Sequence, residues 1–111
     1  TGVQTCALPI LAQARELVRR LRQLPGVTVV TPVTLNVVCF RLTRPGLGGA
    51  HEDRLTKELL LRLQEEGTAV PSGSQFDGRY IIRVACSNHR TKWRDFESLL
   101  AAIARIGPTL A

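Results

Sequence analysis

The chain has 111 residues, 44% of them hydrophobic and 22% charged, a composition that fits one globular domain with one modest core. No apolar run approaches the roughly 20 residues that a membrane span requires, so no membrane partner is expected. The formal charge is +6 with a pI near 10.3, but the basic residues are scattered and do not alternate with aromatic ones as on a nucleic-acid-binding face, so no nucleic-acid partner is expected either.

The three cysteines are odd in number and lack a CxxC spacing. They read as reduced thiols of a cytoplasmic protein, with Cys39 and Cys86 behaving as small buried hydrophobes in strands. His51 and His89 are too far apart to supply zinc-ligand spacing, and no metal is expected.

Residues 1–10, TGVQTCALPI, have no period, cap or charge. They match the translation of a common DNA-sequencing adapter and are read as a scar rather than native chain. The native part, residues 11–111, would then be the C-terminal piece of something longer. Residues 11–24 follow as a helix, with Leu11, Ala14, Leu17, Val18, Leu21 and Leu24 on one stripe. Arg15, Arg19, Arg20 and Arg22 lie largely off it, as a solvated or a docking face. Pro25-Gly26 stops the helix.

Residues 27–31 are a short strand ended by Pro32, and residues 34–42, TLNVVCFRL, a second and central one. The loop over residues 43–50 is rich in glycine but lacks both phosphate-cradling patterns. Residues 52–66 form the second helix. Leu55, Leu59, Leu60 and Leu63 are its buried stripe, Glu52 and Asp53 suit the positive end of its dipole, and Gly67 is its terminating residue. Residues 68–75 are a third strand, placed at an edge or bulge by Pro71.

Asp77-Gly78 tolerates the two positive φ angles of a tight hairpin. After it, Tyr80 to Cys86 is β-branched and apolar on both faces, which predicts a strand inside the sheet. Arg83 does not fit that pattern. It shares a face with Ile81 and Ala85, and a buried guanidinium needs a partner. Its planar fork suits bidentate capture of a carboxylate or phosphate, supplied either by a ligand or by a structural Asp or Glu. Thr91 caps a last helix with Phe96, Leu99, Leu100 and Ile103 inward, joined by Trp93 and Ile106, and Gly107-Pro108 ends it.

The expected fold is α+β: an antiparallel four-stranded sheet covered by three helices in the order α-β-β-α-β-β-α. No catalytic residue set is complete within it. Ser72, Ser74, Ser87 and Ser98 have no base placed near them. His89 is a general acid or base only if it is not simply structural. Lys57 and Lys92 sit at water-facing helix positions, without the desolvation that a Schiff-base lysine needs.

The ordered run LNVVCFRL, a Leu-rich helix, DGRY, IRVA and NHRT resembles the C-terminal small domain of the pyridoxal-phosphate-dependent amino-acid decarboxylases, the group holding the aromatic-L-amino-acid, tyrosine and glutamate enzymes. The likeness spans residues 11–107. It implies a fold-type-I enzyme, dimeric when whole, with pyridoxal 5'-phosphate as cofactor and electron sink. The family's cofactor lysine follows a histidine. No His-Lys pair occurs here, so the resemblance implies a piece inactive by itself, with no catalytic or cofactor-binding residue and its own large domain as partner. One role carries over. Arg83 falls where the glutamate-decarboxylase branch places the arginine that meets the substrate carboxylate. Cys86 and Ser87 depart from the commoner family residues.

Two other functions fit the residues. One is a free-standing α+β module that binds a small anion or amino acid as a regulator. The other is a basic RNA-binding α+β domain.

Overall fold

In a computed structural model of the chain, the structure describes residues 10–30, 37–67, 71–85 and 93–110, with the side chains of Ile10 and Leu11 left out. The elements are α1 (Ile10–Gln23), β1 (Val27–Val30), β2 (Val37–Leu42), α2 (Gly49–Glu66), β3 (Pro71–Phe76), β4 (Arg79–Ala85) and α3 (Trp93–Ile106), followed by a single 3-10 turn, Gly107–Thr109. The predicted order and number of elements hold. Thr34, Leu35 and Asn36, assigned to the second strand, lie outside the described residues, as do Cys86, His89, Thr91, Lys92 and residues 1–9 of the supposed scar.

The four strands form one antiparallel sheet in the order β1-β2-β4-β3. β4 is internal and β3 is an edge, as their sequences predict. The turn between them has Asp77 at φ 53° and Gly78 at φ 73°, the two left-handed residues of a hairpin whose twist matches its strands. Gly67 ends α2 in the left-handed region at φ 70°, and its N–H donates to the carbonyls of Leu63 and Gln64.

Side chains alternate across a strand, and here the alternation has a consequence. Val38, Phe40 and Leu42 of β2 and Ile82 and Val84 of β4 point to one face. There they join Leu17 and Leu21 of α1, Leu59 and Leu63 of α2, and Phe96, Leu99 and Ile103 of α3 in a single buried cluster. α1 lies against β1 and β2, α2 against β2, β4 and β3, and α3 packs on both helices.

Two polar contacts inside the fold were not legible in the sequence. Thr56 is fully buried; its hydroxyl accepts the Leu42 N–H at 3.1 Å and donates to the Glu52 carbonyl at 2.8 Å. Arg44 reaches from the loop after β2 to the carbonyl of Gly107 at 2.6 Å and to that of Thr43 at 3.1 Å. It thereby ties the C-terminal end of α3 to the sheet. Gly26 is left-handed at φ 74° and lies so close beneath Arg44 that a Cβ would stand 2.7 Å from Nη1.

Candidate functional site: the open face of the sheet

The opposite face of the sheet contributes nothing to the buried cluster. It carries Val37, Cys39 and Arg41 on β2, Arg83 and Ala85 on β4, and Ser72 on β3, together with Ile81 of β4 and Val30 of β1, both of which are buried. Register sets Arg83 directly opposite Cys39 on one side and opposite Ser72 on the other. Arg83, Ala85 and Ser72 are exposed, while Val37, Cys39 and Arg41 are half-buried.

This overturns one premise about Arg83. The residue was expected to be buried among aliphatics and therefore to demand a counter-charge. It is exposed, as is Ala85 after it, although Ile81 on the same face is buried, and an exposed guanidinium is solvated by water. Neither structural carboxylate nor hydrogen-bond partner meets it among the described residues. The chain's nine acidic residues explain why: eight lie on helices (Glu16; Glu52, Asp53, Glu58, Glu65 and Glu66; Asp95 and Glu97) and one, Asp77, in the hairpin turn. No strand carries a carboxylate. Cys39 is likewise less buried than expected. Partial burial still pushes its thiol pKa up, against a smaller opposing influence of Arg83.

Arg79 begins the same strand and takes a different role. Its guanidinium donates to Glu52 Oε1 at 2.7 Å and to Asp53 Oδ1 at 3.0 Å, packed over Gly49, where a Cβ would meet it at 3.2 Å. Glu52 Oε2 accepts the Arg44 backbone N–H at 2.7 Å. That bond, then Arg79, and last the charge of Arg41 hold the Glu52 carboxyl below the usual carboxylate range. The two acidic residues read as dipole partners are thus also the lock between α2 and the hairpin.

Two of the four arginines on the basic face of α1, Arg19 and Arg20, are engaged within the molecule. Glu16 accepts from Arg19 and from Arg20, both at 3.0 Å. Arg20 also lies over the Trp93 ring, 5.5 Å from its centroid, and 3.7 Å from Glu97. Lys57 is exposed on α2. Among the described residues no three His, Cys, Asp or Glu side chains come together as a metal site, and no helix is long and apolar enough to cross a membrane.

No family model and no curated protein matches the chain. Solved structures do. The glutamate decarboxylase domain of diaminobutyrate-pyruvate transaminase and L-2,4-diaminobutyrate decarboxylase from Vibrio parahaemolyticus is 29% identical, with a TM-score of 0.72 over 91% of this chain. Catharanthus roseus tryptophan decarboxylase in complex with L-tryptophan is 24% identical, with a TM-score of 0.80 over 91%. Oryza sativa TDC with PLP and tryptamine is 24% identical, with a TM-score of 0.79 over 90%. The chain spans only 21%, 22% and 21% of these three proteins. In fold, the chain is similar to a small α+β domain of these decarboxylases and is equivalent to about a fifth of each.

Proposed function

We propose that this domain serves a pyridoxal-phosphate-dependent amino-acid decarboxylase and that its open sheet face is turned toward the rest of that enzyme. The observation that carries this reading is the pairing of a decarboxylase-like fold with an exposed arginine, Arg83, at the centre of a face that offers it no internal acid. An arginine in that state is free to take a carboxylate from outside the domain. Its part in the reaction is to hold the substrate carboxylate and orient the bond that breaks, a positioning role.

Pyridoxal phosphate is the cofactor of this family, and it supplies the electron sink when bound. The described residues of this chain do not fit the task of holding it. Lys57 is exposed on α2, without the burial that would make a lysine reactive, and no histidine stands immediately before a lysine in the sequence. Cofactor and chemistry therefore belong to a large domain, and the 111-residue chain alone is inactive. The whole enzyme, on this reading, is a cytoplasmic homodimer acting on an amino acid, with neither nucleic acid nor membrane as partner.

The coding DNA tests this most cheaply. Reading upstream of Leu11 is expected to reveal a large domain with a His-Lys motif. A start codon close to Leu11 would instead favour a free-standing module that binds a small anion or amino acid.

A further inference from the structure

The open face carries two arginines that meet no hydrogen-bond acceptor among the described residues, and they differ in kind. Arg83 is exposed. Arg41, two residues along β2 from the partner of Arg83, is half-buried, and its Nε is shut off from solvent with no hydrogen-bond partner. Glu52 is near enough for its charge to feel Arg41, but its oxygens bond to Arg79 and to the Arg44 N–H, and Arg41 Nε bonds to neither.

The two situations call for different occupants. An exposed guanidinium is hydrated whenever its ligand leaves, so it suits a substrate that comes and goes. A buried N–H without an acceptor is costly in every moment that it stays unpaired, so it suits an acceptor that never leaves. The solved relatives extend for roughly four-fifths of their length beyond the part matched here, so polypeptide to cover this face is at hand. A second copy of this chain is a poor occupant, because it would bring its own Arg41 and Arg83 against these two and no strand carboxylate.

We propose that Arg41 is the polar anchor between domains: a carboxylate of the covering large domain accepts from its Nε, while Arg83 beside it is left for the substrate. This rests on the proposed function and divides the face between a permanent and an exchangeable partner. Because the charge on the face is all positive, the covering surface is acidic where it meets Arg41.

Arg41→Met keeps the stem and removes the donor, so its effect should differ in sign with context. In the 111-residue chain the variant is expected to melt at the same or a higher temperature, since an orphaned donor is lost. In the full-length enzyme, alkylation of Cys39, read by peptide mass spectrometry, is expected to run at least tenfold slower than in the 111-residue chain, and Arg41→Met to abolish most of that protection. If Cys39 is no slower in the full-length enzyme, nothing covers the face, and the proposed function fails together with the anchor. If Cys39 is equally protected with and without Arg41, the covering domain stands and the anchor is overturned. Equal loss of stability in both contexts would likewise overturn it, making Arg41 structural within this domain.

Discussion

Arg83 on β4 stands directly opposite Cys39 on β2, on the face of the sheet that stays outside the buried cluster. That single register position makes the arginine available. One residue of slip would turn its side chain into the core against Val38 and Phe40 of β2 and push Ile82 and Val84 out of it, and an unpaired guanidinium is not tolerated there. The hairpin turn at Asp77-Gly78 and the Arg79 lock on Glu52 and Asp53 hold β4 in that register.

Exposure predicts that Arg83 adds little to folding. Arg83→Ala in the 111-residue chain should change unfolding free energy by no more than about 0.5 kcal/mol. Urea unfolding measures this. A loss of several kcal/mol would mean that the side chain has a structural partner.

Thr56 should matter far more than its composition suggests. Thr56→Val keeps the volume but leaves the Leu42 N–H without an acceptor. The expected cost is about 1–3 kcal/mol, read from the same urea curves. Thr56→Ser, which keeps the hydroxyl, should recover the larger part.

Stability should fall with acid in a defined window. Glu52 is held below its ordinary pKa, and Glu16, through hydrogen bonds from Arg19 and Arg20, lies at about 2 against a reference of 4.5. A depressed carboxylate stabilises the fold fully above its unfolded pKa and loses that contribution as pH falls through the folded value. The loss should therefore run from about pH 4.5 downward. Glu52→Gln should be less stable than the parent at neutral pH and show a flatter decline between pH 5 and 2.5 in thermal melts. Salt should shrink the Glu16 part, because that pair is exposed and screened.

Mixed with pyridoxal phosphate, the 111-residue chain should give no stable visible band of a lysine-bound cofactor. Borohydride reduction followed by peptide mapping checks this. A cofactor fixed on Lys57 or Lys92 would contradict it.

Much of this architecture could be read from local signals. The leucine stripes of α1 and α2, the Asp-Gly turn, the terminating Gly67 and the β-branched run around Arg83 in β4 each have one physical meaning, and each was realised. The face of β4 was harder. Ile81, Arg83 and Ala85 alternate with Ile82 and Val84, and both rows look apolar enough to be buried. With all three helices on the other side, Arg83 and Ala85 of the first row are left exposed, while Ile81 of that row is still buried. Sequence spacing could not pair Arg79 with Glu52 and Asp53, since they lie 27 and 26 residues apart. Nor could it find Thr56, because a threonine inside a helix carries no sign of the strand N–H that it will meet.

The most direct test of the role given to Arg83 is a comparison of turnover and cofactor retention in the full-length enzyme carrying Arg83→Ala. Turnover should fall by roughly 100-fold, the scale of a lost positioning contact, while the bound pyridoxal phosphate stays near the parental level. Unchanged turnover, or equal loss of turnover and cofactor, would show that this arginine does not receive the substrate.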